Sequence, residues 1–296
     1  LVNPKILANN MRRDICGGKD MTDVAEGTLL IIGGAEDKEG DCEILREFVR
    51  LAGKRKGPLV IMTAAAQSPQ KVSSEYLKIF RRLGGEEVVS LDIPSRQQAQ
   101  LSSSARTILS AGGIFFTGGD QLRITSLLGG TEVDYALHEA YRRGTIIAGT
   151  SAGASAMSAT MIIGGDEDST PYPGAISMGP GMGLVHQVVI DQHFAQRGRL
   201  GRLVAAVAKQ PAILGVGIDE DTAVIIDSNN HMRVIGSQTV TVVDGNNCEH
   251  TNVSEAEPWQ PLGITAITVH ILPRGYGYDF LNRRALVPGE DKNEAS

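Results

Sequence analysis

The chain of 296 residues lacks the marks of several large functional classes. Its three cysteines, Cys16, Cys42 and Cys248, are odd in number and show no metal-type spacing. This excludes a disulfide scaffold and fits a reducing compartment, so the expected location is cytoplasmic. No block of lysines or arginines exceeds Lys54-Arg55-Lys56, and the net charge is -6. Phosphate contacts need a concentrated basic face, so nucleic acid is not an expected partner. No apolar run approaches the ~18–20 residues of a membrane span, and no membrane partner is expected. The mixed polar stretch from Leu1 to Glu26 has no continuous apolar region of the secretory-leader type. The Gly33-Gly34 turn lacks a complete Gly-x-Gly-x-x-Gly, and no cluster of metal ligands stands out. Neither a cofactor nor a metal is expected. Repeats and linkers are absent too, which gives one domain over 28–287, between an arm at 1–27 and a flexible tail at 288–296.

What is present in quantity is glycine, 35 residues, in a chain that is 42% hydrophobic. Short apolar runs alternate with helical stripes. Leu29–Ile32 predicts a buried strand, and Leu59–Met62, Val88–Leu91, Ile114–Thr117 and Ile146–Ala148 predict further strands. Between them, 39–52, 68–84 and 131–143 predict helices, the second opened by Ser68-Pro69 and the third capped by Thr131. This alternation predicts an α/β fold, a mostly parallel sheet covered by helices on both faces. Residues 163–183 are rich in Gly, Pro, Asp and Ser and predict a long loop. A strand at 188–190 and a helix at 200–209 follow. Short strands at 214–218, 223–226, 232–235, 239–243 and 265–272 then predict an antiparallel C-terminal part.

The strand at Ile146 runs into Gly149-Thr150-Ser151-Ala152-Gly153, a Gly-x-Ser-x-Gly pentapeptide with small, helix-compatible residues after it. A serine on a strand-to-helix bend is lifted clear of the sheet, with free N–H groups beside it. That is the geometry of a nucleophile. A glycine-rich β–α turn with an N-cap serine has the same sequence. A triad further needs a histidine and a carboxylate behind it. Of six histidines, His193 directly follows the predicted strand 188–190, and sites in α/β sheets form at the carboxyl ends of strands. A loop histidine bonded to backbone fits that position equally. Asp219-Glu220-Asp221 ends another strand, where one carboxylate could orient an imidazole or all three could form a solvated turn.

Five segments together carry a family resemblance: Leu30 to Asp37, Phe116 to Gln121, Gly149 to Ala154, Asp191 to Phe194 and Gly217 to Asp221. In this order they resemble the cyanophycinases. These are serine exopeptidases related to aspartyl dipeptidase (peptidase E) and to the class I glutamine amidotransferase-like fold. The resemblance implies Ser151 as nucleophile, His193 as general base and Glu220 as the orienting acid. The backbone N–H of Ala152 and one from Gly118 or Gly119 would form the oxyanion hole, each donor contributing roughly 3 kcal/mol. Gln121, Asp191 and Gln192 are binding candidates on the same ground, and the resemblance suggests a homodimer.

The implied substrate is cyanophycin, a poly-aspartate chain with arginine on each β-carboxyl, released as β-aspartyl-arginine dipeptides. Such a polymer brings a carboxylate and a guanidinium on every branch. Arg197, Arg199 and Arg202 follow His193 closely and offer planar forks suited to carboxylates. They could instead be the basic first face of helix 200–209, a poor match to the helix dipole. The acidic loop Asp166-Glu167-Asp168 could receive a guanidinium or simply be solvated. Three other readings remain open: a peptidase of aspartyl dipeptidase type acting on short acidic peptides, a non-catalytic binding protein of the same fold, and an amidotransferase-like subunit. The last class normally carries cysteine where Ser151 stands.

Overall fold

A computed structural model describes residues 27–167 and 170–289. The arm at 1–27 (apart from Gly27), the tail beyond Gly289, and Cys16 and Asp168 lie outside the described residues.

The first half alternates as its apolar runs demand: β1 (Leu29–Ile32), α1 (Glu43–Ala52), β2 (Leu59–Met62), α2 (Pro69–Arg82), β3 (Val88–Leu91), α3 (Arg96–Ala99), α4 (Ser102–Leu109), β4 (Gly113–Phe116), α5 (Gln121–Leu128), α6 (Glu132–Arg142), β5 (Ile146–Thr150) and α7 (Ala152–Ser155). β1, β5, β4, β2 and β3 lie side by side in that order and are all parallel. Period-two alternation divides their side chains between the two faces. Leu30 and Ile32 join Phe48, Phe80 and Phe115 under α1 and α2, while Leu29 and Ile31 face the opposite core with Ile124, Leu128 and Leu137. The rings of Phe48, Tyr76, Phe80 and Phe115 meet at 4.8 to 5.7 Å between centroids. Each buried ring contributes roughly 1.5–3 kcal/mol through the area it removes from water.

The second half runs β6 (Thr160–Gly165), β7 (Ile176–Pro180), β8 (Val188–Gln192), α8 (Leu200–Lys209), β9 (Leu214–Ile218), β10 (Thr222–Ile226), β11 (His231–Gly236), β12 (Thr239–Asp244), β13 (Thr268–Pro273), β14 (Gly277–Asp279) and β15 (Arg284–Leu286). β10, β11, β14 and β15 extend the large sheet antiparallel from β1, to nine strands. β13, β12, β9 and β8 form a second sheet in which only β8 and β9 are parallel. The chain thus crosses between sheets at the β9–β10 turn. The α/β class, with parallel strands under helices and antiparallel strands toward the C-terminus, is the one expected.

Local differences have local causes. Both ends of the expected loop 163–183 carry strand: β6 pairs antiparallel with β7, with a bulge between Ile162 and Gly164. Its glycines mark that bulge rather than an absence of strand. The helix expected from residue 39 begins at Glu43, because the Asp37 carboxylate accepts the N–H groups of Glu39, Gly40 and Cys42 and holds a turn there. Ser68 makes no capping bond to α2, although Pro69 opens the helix as expected. α3, α4 and α5 are helices beyond those the apolar periodicity predicts. The last expected strand starts at Thr268, and β14 and β15 follow it.

Candidate active site

β5 ends at Thr150, and the chain turns into α7 through Ser151 at φ 54° and ψ -114°. A non-glycine residue in that region is strained by about 1–3 kcal/mol, a cost met where function needs a side chain on a tight bend. The turn is narrow because Gly149 and Gly153 touch: a Cβ on Gly149 would lie 2.5 Å from the Gly153 carbonyl oxygen. Ser151 therefore stands above the sheet end. Gly118, just beyond β4, lies beside it, its would-be Cβ 3.4 Å from Ser151 Cβ.

The partners come from the second sheet. His193 follows β8 and Glu220 follows β9, which pair in parallel, so both sit at the same end of neighbouring strands. His193 Nε2 is 3.0 Å from Ser151 Oγ, and its Nδ1 is 2.6 Å from Glu220 Oε1. The Glu220 carboxylate can only accept, which assigns the proton to Nδ1 and leaves Nε2 to accept from the serine hydroxyl. Gln192 Oε1 lies 3.4 Å from the same hydroxyl. The His193 side chain is 13% exposed and that of Glu220 is 37% exposed, so the line is sheltered yet open at its acid end. Glu220 is held from behind, where its N–H donates to Gln196 Oε1 at 3.0 Å. Asp219, its buried neighbour, accepts from Ala195 N–H and from the Thr239 hydroxyl, which commits it to joining the loop after β8 to β12. Ser151, His193 and Glu220 form one hydrogen-bonded line able to remove a proton from the hydroxyl and stabilise the resulting imidazolium. Ala152 opens α7 directly after Ser151, and a Cβ on Gly118 would lie 3.8 Å from the Ser151 hydroxyl oxygen.

The remaining sequence candidates separate. Asp191 is 1% exposed, and its two carboxylate oxygens accept from Arg202 Nε, at 2.6 Å, and Arg202 Nη2. Both side chains are buried against each other, so in this conformation neither offers a free group to a substrate. Arg199 lies between this pair and the surface. It donates to the Gln192 carbonyl and to Glu167 Oε1, each at 2.5 Å, and its Nε has no hydrogen-bond partner among the described residues. Burial lowers the pKa of this guanidinium, against the raising effect of Glu167 and Asp191. Glu167 in turn is held below the ordinary carboxylate range, first by its hydrogen bond from Arg199. Arg197 is half-exposed and reaches the same Glu167 oxygen at 3.3 Å. Gln121 points its amide nitrogen at the Ile162 and Ile163 carbonyls of β6, at 3.0 and 2.9 Å. Gly119, at φ 144°, packs against the Ala65 carbonyl.

Sequence reasoning assigned no role to Glu36, Thr150 or Gln196. Glu36 and Thr150 lie inside segments quoted for the family resemblance, but a buried glutamate between strands leaves no spacing signal. Among the described residues no three His, Cys, Asp or Glu side chains are arranged to hold a metal ion. No described helix is long and apolar enough to cross a membrane.

The model of Peptidase family S51 matches residues 29–235, a span that holds Ser151, His193 and Glu220. The chain is 39% identical over 259 residues to the cyanophycinase of Trichormus variabilis, covering 87% of each chain. It is 35% identical over 260 residues to the cyanophycinase of Geminocystis herdmanii, covering 88% of this chain and 96% of that one. Among solved structures, a peptidase from an acI-B1 Actinobacterium superposes with a TM-score of 0.59 at 20% identity, covering 84% of this chain and 98% of that one. At that identity the likeness speaks for the fold.

Proposed function

The chain belongs to peptidase family S51, and from that premise we propose the reaction its site performs: exopeptidase hydrolysis of the poly-aspartate backbone of cyanophycin to β-aspartyl-arginine dipeptides. The observation that carries the chemistry is the unbroken line from Ser151 Oγ through His193 to Glu220, with gaps of 3.0 and 2.6 Å. The substrate rests on relatives named cyanophycinase that align over most of the chain.

Ser151 Oγ attacks the carbonyl carbon of a backbone α-peptide bond as its proton passes to His193 Nε2. The Ala152 N–H and an N–H of Gly118 or Gly119 hold the oxygen of the tetrahedral adduct. The adduct collapses, the C–N bond breaks, and the leaving amine takes the proton from His193. A water then gives a proton to His193 Nε2 and attacks the acyl carbon, and Ser151 leaves with that proton. Glu220 stabilises the imidazolium in both halves. Arg197, which is 45% exposed, and the Arg199 terminus behind it, whose Nη2 shares the Glu167 oxygen with Arg197, are the guanidiniums assigned to a substrate carboxylate. Arg202 and Asp191 hold the floor beneath them, and Gln121 and Gln192 border the site. We read 28–287 as one peptidase domain, acting as a homodimer in the cytoplasm; light scattering coupled to size exclusion tests the dimer.

The deciding experiment is incubation with purified cyanophycin and mass identification of the products. β-Aspartyl-arginine is the expected product, and α-linked poly-aspartate of equal length should be a poor substrate. Equal cleavage of both polymers would replace this reading with a general acidic-peptide peptidase.

A further inference from the structure

Three non-glycine residues at the site have positive φ: Ser151 at 54°, His193 at 48°, and Asp221, the neighbour of Glu220, at 47°. Such conformations persist only when their surroundings over-determine them. One short stretch does so for all three. The Ser151 N–H donates to the Ile32 carbonyl at 3.0 Å, the His193 N–H to Gly33 at 2.8 Å, and the Asp221 N–H to Gly34 at 2.9 Å. Three consecutive carbonyls at the end of β1 thus receive one strained residue each: that after β5, that after β8, and one from the β9–β10 turn. The Gly33 N–H returns a bond to the Thr222 carbonyl at 2.9 Å.

Side chains extend the same stretch. The Asp37 N–H donates to Asp221 Oδ1 at 2.8 Å. Glu36, 4% exposed, accepts from the hydroxyl of Thr150, the residue before Ser151, at 2.6 Å and from Tyr76 at 2.5 Å. A buried carboxyl is costly unless hydrogen-bonded, and here both bonds lead to groups that take no part in the chemistry. Gly34, at φ 102°, lies directly under the imidazole: a Cβ there would be 2.4 Å from His193 Cε1.

We propose that Ile32–Asp37 is the positioning segment of the active site, setting Ser151, His193 and Glu220 in register through its carbonyls and fixing the serine bend through the Glu36–Thr150 bond. The segment touches no reacting atom; it acts through the residues it holds. This rests on Ser151, His193 and Glu220 being the triad.

Thr150→Val removes the hydroxyl at equal volume, and Thr150→Ser keeps it. Both are compared with Glu36→Gln and with the Glu36→Gln/Thr150→Val double variant. The readouts are kcat and KM on cyanophycin, the rate at which a fluorophosphonate labels Ser151, and Tm. A displacement of about 1 Å at a reacting group can cost about a hundredfold in rate. Thr150→Val should therefore lower kcat and the labelling rate by about tenfold or more, with KM within about twofold. Thr150→Ser should recover most of the rate, and the double variant should be no slower than the slower single one. Two results overturn the proposal: Thr150→Val that loses Tm but keeps kcat and labelling rate per folded molecule, or Thr150→Ser as slow as Thr150→Val. Should Glu36→Gln not fold, the Thr150 pair alone decides. Ser151→Ala in the same series separates the two readings. An active Ser151→Ala sinks the triad itself, whereas an inactive one beside a fast Thr150→Val sinks only the positioning segment.

Discussion

Two charged arrays leave the end of β8 within three residues of each other. His193 enters the line from Ser151 to Glu220, whose acid end is 37% exposed. Asp191 enters a buried array through Arg202 and Arg199, which are 6% and 5% exposed, and that array surfaces only at Glu167. The first has few bonds and an accessible hydroxyl at its end. In the second, the pair at its root is satisfied internally on both sides. Residues two apart at the end of one strand thus serve reaction and scaffold, and the difference lies in what each is bonded to.

The largest expected effects break the first array. Ser151→Ala should reduce turnover by about 10⁴-fold or more with the fold intact. His193→Ala should cost about as much, and Ser151→Ala/His193→Ala little more than either, because nucleophile and base act as a unit. Glu220→Gln keeps size but loses the charge facing the imidazolium, and should cost less. Steady-state rates of these variants on cyanophycin check the set. Losses of Ser151 and His193 that simply multiply in the double variant would remove the triad assignment.

The sequence carried the first array further than the second. Ser151 announces itself by a strand, two flanking glycines and small residues after it, all local features. His193 stands out among the histidines by directly following a strand, whereas only the family resemblance chooses Glu220 over Asp219 and Asp221. The parallel strands are legible because each is a short, mostly apolar run between helical stripes. The β6–β7 hairpin is not, because its glycines and prolines resemble a loop. Arg197, Arg199 and Arg202 look alike as a motif. Their separate environments follow from the turn at Ala195–Arg197 and the start of α8, which set Arg202 on Asp191, Arg197 on Glu167 and Arg199 between the two. Asp191 pairing with Arg202 rather than awaiting a substrate depends on the packing of α8, which no spacing encodes.

Breaking the second array should show in stability first. Arg202→Met leaves Asp191 buried with its bidentate partner gone, and removing one member of a buried pair costs about 3–5 kcal/mol. A second replacement, Asp191→Leu on the Arg202→Met background, should recover much of that loss, since a well-packed apolar pair has no charge to desolvate. Urea unfolding midpoints of the two variants check this. An Arg202→Met protein as stable as the parent would mean that the pair does not hold α8 to β8.

The three arginines then sharpen where scaffold ends and binding begins. Arg→Lys keeps the charge and loses the planar fork. Arg199→Lys or Arg197→Lys should lower kcat/KM on cyanophycin severalfold without a matching fall in Tm. Arg202→Lys should instead lower Tm. Equal kcat/KM for all three variants and the parent would leave the substrate carboxylate without a partner in this segment.

The smallest effect belongs to Glu167, where the buried array meets solvent. Arg199 holds its carboxyl below the usual range, so the folded state binds its proton less readily than the unfolded chain. The stabilisation is therefore complete above the unfolded-state pKa and is lost as pH falls through the lowered folded-state pKa. The Glu167 side chain is 46% exposed, so screening limits the contact to about 1 kcal/mol or less. Glu167→Gln should fall short of the parent in Tm by only a few degrees at about pH 7, and the shortfall should shrink as pH falls through the acid range. The same variant removes a carboxylate that occupies Arg197 and Arg199, the two side chains proposed to meet the substrate. If they do meet it, Glu167 competes for them, and Glu167→Gln should lower KM about twofold while kcat stays level. A KM that rises would place Glu167 among the groups that bind the substrate guanidinium, and the outer end of the buried array would then belong to the binding site.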